Sequence, residues 1–412
     1  MTKVLHRIGS KEAIELENKY GTHNYHPLPV VISRGEGVYV WDPEGNKYYD
    51  FLSAYSALNQ GHNHPRIIEA LIDQAQKLCL TSRAFYNDLL GEYAKYICDY
   101  FGFERMLPMN TGAEAVETAI KVCRKWAYQV KGIEENKAEV IVCGNNFHGR
   151  TISIISFSSD PDAKKEFGPY TPGFVSIPYN DVHALESVLS SNKNVAAFIV
   201  EPIQGEAGVI VPDDGYLSKC KALCQQYNVL FVADEIQTGI ARTGKMLACD
   251  HEQVKPDVLV LGKAMSGGVY PVSAVLSSDE VLSCIKPGEH GSTYGGNPLA
   301  CRVTMTALQV VLDEKLAENA ERLGNYLRME LNRLTSDVLT VVRGKGLLNA
   351  IVIKPSNDKT AWDLCLILKK NGLLAKPTHG DIIRFAPPLI MNQTQMEECV
   401  EIISSSLKQF TQ

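Results

Sequence analysis

The sequence predicts an α/β protein with a large domain built on a mostly parallel central sheet flanked by helices, and a smaller α+β domain. Between about residues 105 and 300, short runs of Val, Ile and Leu alternate with stretches of helical periodicity. This alternation is typical of parallel strands that are covered on both faces. After residue 311 the pattern changes to a long amphipathic helix and short strands. The 412 residues also exceed what one ordinary hydrophobic core accommodates.

The strands of the large domain are predicted from apolar runs at 139–144, 195–202, 229–235, 257–263 and 271–278. Helical stretches connect these runs, and the clearest is the one from 111 to 130. Its apolar residues have helical spacing and form one face, which comprises Val116, Ala119, Ile120, Cys123, Trp126, Ala127 and Val130. Strands that alternate with helices in this way are expected to pair in parallel.

The last third of the chain predicts a separate, smaller domain. The stretch LAENAERLGNYLRMELNRL (316–334) is a long amphipathic helix, and the strand-like pieces LTVVRG, LLNAIVI and DIIRFAP follow it before a final helix. We expect residues 66–310 to form the large, cofactor-binding domain and residues 311–412 the small α+β domain. Residues 1–65 are expected to be an N-terminal segment that contributes to the small domain.

Composition narrows the classes of function. The net charge of −6 does not indicate binding to nucleic acid or to an anionic membrane. We find no apolar run long enough to span a bilayer. Glu12, Glu15 and Glu17 make the N-terminal segment unlike a secretory signal or a transit peptide. A cytoplasmic location is therefore expected, or the mitochondrial matrix if a targeting segment has been removed. The eleven cysteines lack CxxC spacing, so we expect reduced thiols and no metal site.

Polar residues follow four consecutive strands of the predicted sheet. They are 146–150 after the first strand, 201–206 after the second, 234–237 after the third, and Lys263 after the fourth. Ligands of open parallel sheets bind beyond the carboxyl ends of the strands. Each residue alone could mark a strand's exit into solvent, but four such exits in a row predict a binding site.

Asp234 and Lys263 are the strongest pair of candidates. A lysine that ends a buried strand and precedes small residues is desolvated, which favours its neutral, nucleophilic form. A partly buried ion pair is the alternative interpretation. The functional interpretation is a pyridoxal phosphate site, where Lys263 forms a Schiff base with the cofactor aldehyde. The carboxylate of Asp234 then keeps the pyridine nitrogen protonated.

Two segments are candidates for binding the cofactor's phosphate. Thr111, Gly112 and Ala113 open an amphipathic helix, where backbone N–H groups and the helix dipole favour an anion. Ser292 and Thr293 lie in a Gly-rich segment and offer hydroxyl donors. Taken alone, the first segment could be an ordinary N-cap and the second a flexible connector.

These residues lie within motifs that carry a family resemblance. In order, the motifs are NTGAEAVETAIK, FHGRT, EPIQGEAG, ADEIQTGIARTGK, LGKAMSGG and GSTYGGNPLA. Together they resemble the class III (ω-amino acid) aminotransferases of fold type I, which use pyridoxal phosphate. The resemblance extends from about residue 20 to the C-terminus. Within the family, THNYHPLP, FLSAYSALNQGHNHP, PGEHGSTYGGNP, VRGKGLLNAI and GLLAKPTHGDIIRFAPPL resemble the members that act on ornithine.

The resemblance implies roles around the cofactor. Lys263 is the Schiff-base lysine and proton shuttle, and Asp234 is the partner of the ring nitrogen. Phe147 and Ile236 flank the ring, Gln237 lies near its hydroxyl, and Gly112 and Ala113 hold the phosphate. Ser292 and Thr293 reach the phosphate of the partner subunit, which implies a homodimer with shared active sites. His148 flanks the ring at a position where many family members have tryptophan.

The resemblance also implies a reaction, the transfer of the δ-amino group of ornithine to 2-oxoglutarate. Arg384 takes the α-carboxylate of glutamate, and Arg150 takes its other carboxylate. Tyr25 helps to hold the ornithine end, Tyr55 lines the pocket, and Glu206 pairs with Arg384 when ornithine is bound. Taken alone, the two tyrosines could be amphipathic core aromatics. Three alternatives remain open. They are an ω-aminotransferase for N-acetylornithine or 4-aminobutyrate, another pyridoxal phosphate reaction such as that of an aminomutase or decarboxylase, and a non-catalytic binding protein.

Overall fold

The computed structural model describes residues 8–356 and 358–412, and the strands of these residues form three sheets. In chain order the strands are β1 (Arg34–Glu36), β2 (Tyr39–Trp41), β3 (Lys47–Asp50), β4 (Arg105–Met109), β5 (Glu139–Cys143), β6 (Phe174–Ile177), β7 (Val195–Val200), β8 (Leu230–Asp234), β9 (Val258–Leu261), β10 (Ser273–Ser277), β11 (Leu339–Lys345), β12 (Leu348–Ile353), β13 (Leu373–Leu374), β14 (Lys376–Thr378) and β15 (Ile382–Phe385).

The central sheet has seven strands in the order β4-β10-β9-β8-β7-β5-β6. Strand β10 is antiparallel to both of its neighbours, whereas β9, β8, β7, β5 and β6 pair in parallel. The predicted mostly parallel sheet is therefore confirmed. The sequence did not predict β4, which contains Pro108, or the short strand β6.

The helices in chain order are α1 (Ser10–Tyr20), α2 (Ser53–Ser56), α3 (Pro65–Ala75), α4 (Leu90–Phe101), α5 (Gly112–Trp126), α6 (Ile152–Ser156), α7 (Pro161–Lys164), α8 (Val182–Ser191), α9 (Tyr216–Gln226), α10 (Asp279–Leu282), α11 (Pro298–Asp313), α12 (Leu316–Arg333), α13 (Ala361–Lys370) and α14 (Gln393–Phe410). Of the described helices, none is both long and apolar enough to cross a membrane.

Two apolar cores lie on the two faces of the central sheet, because successive strand residues point to opposite faces. Phe198 and Phe231 belong to one core, together with Cys220 and Cys224 of α9. The residues that alternate with them in the strands belong to the other core, which includes the buried face of α5. All six residues of β7 are buried. This explains why the strands are apolar throughout and why their polar residues occur only at the ends.

The predicted apolar face of the helix after Thr111 is correct up to Ala127. Val130 was assigned to that face, but its side chain is 47% exposed. The cause is a π-helical turn from Ala127 to Lys131, which follows α5 directly. A wider turn changes the angular spacing of successive side chains, so Val130 leaves the buried face.

Two four-stranded sheets contain the remaining strands, in the orders β1-β2-β3-β13 and β11-β12-β15-β14. Strand β3 near the N-terminus pairs in parallel with β13, with Tyr49 opposite Leu373. We propose the division into an N-terminal segment 1–65, a large domain 66–310 and a small domain 311–412. The pairing of β3 with β13 supports a contribution of the first segment to the small domain.

Candidate active site

The carboxyl ends of β5, β7, β8 and β9 meet around a cavity of about 200 Å³. The structure brings together most of the predicted cofactor residues here, because parallel strands end at the same edge of the sheet. The residues that line the cavity are Gly112, Ala113, Phe147, His148, Gly149, Glu201, Ile203, Glu206, Asp234, Ile236, Gln237, Thr238 and Lys263.

Lys263 directly follows Gly262 at the end of β9 and begins a single 3₁₀ turn. Its backbone φ is +45°, a left-handed conformation that costs a non-glycine residue about 1–2 kcal/mol. Burial lowers the pKa of the Lys263 ammonium, and the nearby carboxylate of Glu206 opposes this effect only in part. The amine therefore loses its proton at a lower pH than an exposed lysine, which suits a nucleophile.

Asp234 is the last residue of β8, and its side chain is 4% exposed. Its Oδ2 lies 2.6 Å from Nδ1 of His148, and its Oδ1 accepts a hydrogen bond of 3.1 Å from the backbone N–H of Ile236. Both oxygens have a partner, so the carboxylate is held in one orientation at the cavity wall.

His148 follows Phe147 in the chain and is 3% exposed. Burial alone would lower the pKa of its imidazole, but the hydrogen bond and the charge of Asp234 outweigh burial and raise the pKa above its usual value. The other ring nitrogen, Nε2, is buried and has no hydrogen-bond partner among the described residues. His148 thus contacts the candidate ring-nitrogen partner rather than only flanking the cavity.

The start of helix α5 at Thr111 was predicted to be either an N-cap or a phosphate site. Oγ1 of Thr111 accepts a hydrogen bond from the backbone N–H of Glu114, and Glu114 in turn accepts from the backbone N–H of Thr111, which forms a capping box. Thr111 is therefore an N-cap, and it does not line the main cavity. Gly112 and Ala113 line the cavity at the N-terminus of α5. A Cβ on Gly112 would lie 3.0 Å from Cδ1 of Ile236, so a side chain there would crowd the cavity wall.

Ser292 and Thr293 do not line the main cavity of this subunit. Oγ of Ser292 accepts a hydrogen bond of 2.7 Å from the side-chain amide of Asn110, and Thr293 is exposed. The structure of one chain therefore leaves the role of these two hydroxyls in a partner's site a prediction.

Arg384 and Glu206 form a close ion pair at the cavity. Nη1 of Arg384 lies 2.7 Å from Oε1 of Glu206, and the Arg384 side chain is only 6% exposed. Burial would raise the pKa of Glu206, but Arg384 more than compensates and lowers it. Gln237 also donates to Oε1 of Glu206, at 3.4 Å. The predicted partners thus contact each other directly.

Tyr55 is positioned by an unusual backbone turn. The residues of α2, Ser53 to Ser56, have φ values from +47° to +72°, which makes the turn left-handed. Such a turn costs about 1–2 kcal/mol per residue, so the surroundings must stabilise it. Oδ1 of Asp50 accepts hydrogen bonds of 2.9 Å from the N–H groups of Leu52 and Ser53. The result places the Tyr55 ring 5.3 Å from the guanidinium carbon of Arg384.

Arg150 and Tyr25 lie further out. Arg150 lines an adjoining cavity that also includes Glu206, and its Nη1 lies 3.5 Å from Oδ2 of Asp160. Its guanidinium carbon is 5.4 Å from the centre of the Phe147 ring. Tyr25 is 69% exposed and lies outside the main cavity. Neither residue lies in the wall of the main cavity.

Glu201 is a cavity residue to which sequence reasoning gave no role. It directly follows β7, which is the same strand-exit position that identified Asp234. Its carboxylate is buried and accepts a hydrogen bond of 3.0 Å from the backbone N–H of Phe147. Burial raises the pKa of Glu201 to about 7, and the charge on His148 opposes this rise. The position of Glu201 at a strand exit was therefore the sequence signal that could have identified it.

A family model described as aminotransferase class-III matches residues 20–407, nearly the whole chain. The chain is a class III aminotransferase. Members of this family depend on pyridoxal phosphate, so the predicted cofactor and fold type I are confirmed.

Relatives and solved structures that are similar to this chain also carry aminotransferase names. A protein of Drosophila melanogaster named mitochondrial ornithine aminotransferase is 64% identical over 95% of this chain and 90% of its own length. The crystallised ornithine aminotransferase of Toxoplasma gondii has a TM-score of 0.95 at 49% identity, and covers 97% of this chain and 94% of its own. A structure named acetylornithine aminotransferase, from Elizabethkingia anophelis, has a TM-score of 0.90 at 60% identity. It covers 98% of this chain and 100% of its own.

Proposed function

We propose that this aminotransferase transfers the δ-amino group of L-ornithine to 2-oxoglutarate and forms glutamate 5-semialdehyde and L-glutamate. The observation that carries the proposal is the ion pair between Arg384 and Glu206, 2.7 Å apart and beside Lys263. The names of the relatives from Drosophila melanogaster and Toxoplasma gondii support the same substrate.

The residues of the cavity fit pyridoxal phosphate. The N-terminus of α5 supplies N–H groups at Gly112 and Ala113 for a phosphate. When bound, the cofactor supplies an aldehyde that bonds to amines and a ring that accepts electron density. Phe147, Ile236 and Gln237 line the cavity. We assign Phe147 and Ile236 to the two faces of the ring and the amide of Gln237 to the ring hydroxyl. The carboxylate of Asp234 holds a proton at the ring nitrogen.

Lys263 carries the proton transfers of the reaction. Its lowered pKa leaves a larger fraction of the Nζ amine neutral near neutral pH, so Nζ can accept a proton from a substrate carbon. The buried walls exclude water and so limit side reactions. The left-handed backbone conformation of Lys263 sets the direction in which its side chain leaves the main chain.

The Glu206–Arg384 pair explains how one cavity accepts two substrates with different geometry. While the pair is closed, Arg384 is neutralised and does not bind the α-carboxylate of ornithine, so the terminal amine of ornithine is the one that reaches Lys263. When glutamate binds, Arg384 leaves Glu206 and takes its α-carboxylate, because the rigid guanidinium fork binds carboxylates in two contacts. Arg150 takes the other carboxylate of glutamate. Tyr25 and Tyr55 hold ornithine at the cavity entrance.

The substrate is tested by comparing ornithine with N-acetylornithine and 4-aminobutyrate, each with 2-oxoglutarate as acceptor. N-acetylornithine is the main competitor because the structure from Elizabethkingia anophelis carries its name. We expect kcat/KM for ornithine to be at least about tenfold higher, which corresponds to about 1.4 kcal/mol of transition-state discrimination. A preference for N-acetylornithine would overturn the assignment, and turnover without a keto-acid acceptor would point to another pyridoxal phosphate reaction.

Glu206→Ala is expected to degrade the choice between the two amines of ornithine. Without the carboxylate of Glu206, Arg384 is free to bind the α-carboxylate of ornithine. The share of α-transamination should therefore rise about tenfold, which corresponds to about 1.4 kcal/mol. Glutamate should bind as well or better, because it no longer competes with Glu206. Single-turnover product analysis and the glutamate dissociation constant measure the two effects.

The control for this variant is Asp381→Asn, which removes an exposed carboxylate just before β15, the strand that carries Arg384. It should leave both quantities unchanged. If Glu206→Ala keeps full δ-selectivity and binds glutamate no better, Glu206 does not gate Arg384.

The assembly is proposed to be a homodimer with shared active sites. The support is that Thr293 is exposed and lies outside the cavity of its own subunit, whereas the family resemblance places it at a cofactor phosphate. A cytoplasmic location stays a prediction, and relatives from Drosophila melanogaster and Rattus norvegicus are named mitochondrial.

A further inference from the structure

Three ionisable side chains are buried together at the ends of β5, β7 and β8. His148, Glu201 and Asp234 are 3%, 7% and 4% exposed. Two buried carboxylates repel each other, and each loses hydration, so this arrangement is costly unless a positive charge lies between them. The imidazole of His148 is the group placed to carry that charge, because it bonds to Asp234 and feels the charge of Glu201.

The hydrogen bonds show how the three groups are linked. Glu201 accepts from the backbone N–H of Phe147 at 3.0 Å, so its carboxylate lies against the residue before His148. Nδ1 of His148 donates to Oδ2 of Asp234 at 2.6 Å. Nε2 of His148 then carries a proton only when the ring is charged. Since Nε2 has no partner among the described residues, the charge on the ring depends on the surrounding carboxylates rather than on a second hydrogen bond.

We propose that Glu201 is a positioning residue that holds a proton on His148 and thereby sets how much negative charge Asp234 presents to the cofactor ring. When His148 is protonated, it forms an ion pair with Asp234, so the Asp234 carboxylate attracts the ring-nitrogen proton less strongly. With His148 neutral, Asp234 presents its full charge. The inference rests on the proposed place of Asp234 at the ring nitrogen.

The direction of the titration follows from burial and charge. Burial raises the pKa of Glu201 to about 7, so it ionises near neutral pH. Once ionised, it stabilises the imidazolium of His148, whose pKa is already raised by Asp234. As pH rises through the pKa of Glu201, the proton on His148 is therefore held more firmly, not less.

Other titratable groups face this cluster and affect its protonation. Lys263 and Glu206 line the same cavity, and the charge of Glu206 raises the pKa of Glu201 further. The hydroxyl of Tyr179 donates to the backbone oxygens of Glu201 and Pro202, and burial keeps this phenol protonated. The thiol of Cys143 at the end of β5 has its pKa raised to about 12 by burial, so it stays neutral.

The test is Glu201→Gln in the holoenzyme, observed through ¹⁵N-labelled histidine by NMR. The His148 resonance is assigned by its loss in His148→Gln. We expect the titration midpoint of His148 to fall by at least about one pH unit, a tenfold weaker proton affinity. The pH dependence of the visible absorption of the bound cofactor should shift with it. A purely structural role for Glu201 would move neither midpoint.

The matched control is Glu235→Gln. Glu235 follows Asp234 directly and is fully buried, but its carboxylate accepts hydrogen bonds from Cys249 and Thr238 instead. It should leave the His148 midpoint unchanged. If Glu201→Gln does not fold, the wild-type holoenzyme still decides, because a His148 that is neutral from about pH 6 to pH 8 contradicts the proposal.

These outcomes are separate from those of the proposed function. An unchanged His148 midpoint in an enzyme that still converts ornithine overturns this inference alone. A shifted midpoint in an enzyme that rejects ornithine overturns the proposed substrate and leaves the inference standing.

Discussion

Lys263→Ala is expected to abolish turnover. Loss of the proton transfer carried by Nζ alone should slow the reaction by about 10²–10⁴-fold, and loss of the covalent link to the cofactor adds to this. The absorption of the lysine-linked cofactor should also disappear, although the phosphate contacts at the start of α5 still allow the cofactor to bind. Steady-state rates and the visible spectrum of the purified variant measure both effects.

The control for this variant is Lys131→Ala. Lys131 is also partly buried, and burial lowers the pKa of its ammonium to about 8. Its Nζ, however, donates to the backbone oxygen of Val195 at the opposite end of β7. Lys131→Ala should lose stability but keep the absorption band. If borohydride reduction of the wild-type enzyme leaves no cofactor attached to Lys263, the assignment of this lysine is wrong.

Asp234→Asn is expected to keep the fold and lose most of the activity. The amide is nearly isosteric, but it lacks the charge that holds the ring nitrogen protonated. Removing one partner of a buried ion pair costs about 3–5 kcal/mol, so we expect the proton-abstraction step to slow by roughly 10²–10⁴-fold. The rate of the first half-reaction with ornithine in single turnover is the measurement. Near-normal rates in this variant would falsify the role of Asp234.

Asp257→Asn is the matched control for this change. Asp257 lies just before β9, at the opposite edge of the same sheet, where it bonds to Lys221 at 2.5 Å and to the N–H of Phe231 at 2.8 Å. Its loss should lower stability and leave the half-reaction rate of the folded enzyme unchanged. Asp257 is more exposed than Asp234, so this pair of variants separates the general effect of losing an ion-paired carboxylate from an effect at the cofactor.

The sequence by itself determined the central sheet and the place of the site. Strands buried on both faces must be apolar throughout, so the few polar residues at their ends are conspicuous. This reasoning predicted Asp234 and Lys263 as site residues, and Glu201 occupies the same kind of position. Strand β4 escaped prediction because Pro108 interrupts its apolar pattern, and β6 because Ser176 interrupts a run of only three apolar residues. Val130 was misplaced because a π-helical turn leaves no signal in a pattern read at one period.

The tertiary structure alone decided which side chains touch. Glu206 and Arg384 are 178 positions apart, and His148 and Asp234 are 86 apart, so no local pattern links either pair. The left-handed turn that places Tyr55 beside Arg384 contains no glycine, the residue from which such a turn could be predicted. Local periodicity reports which face of an element is buried, because burial repeats along the chain. The contacts, charges and strained turns of a site do not repeat along the chain, because each forms where distant segments pack together. Only the folded chain therefore specifies them.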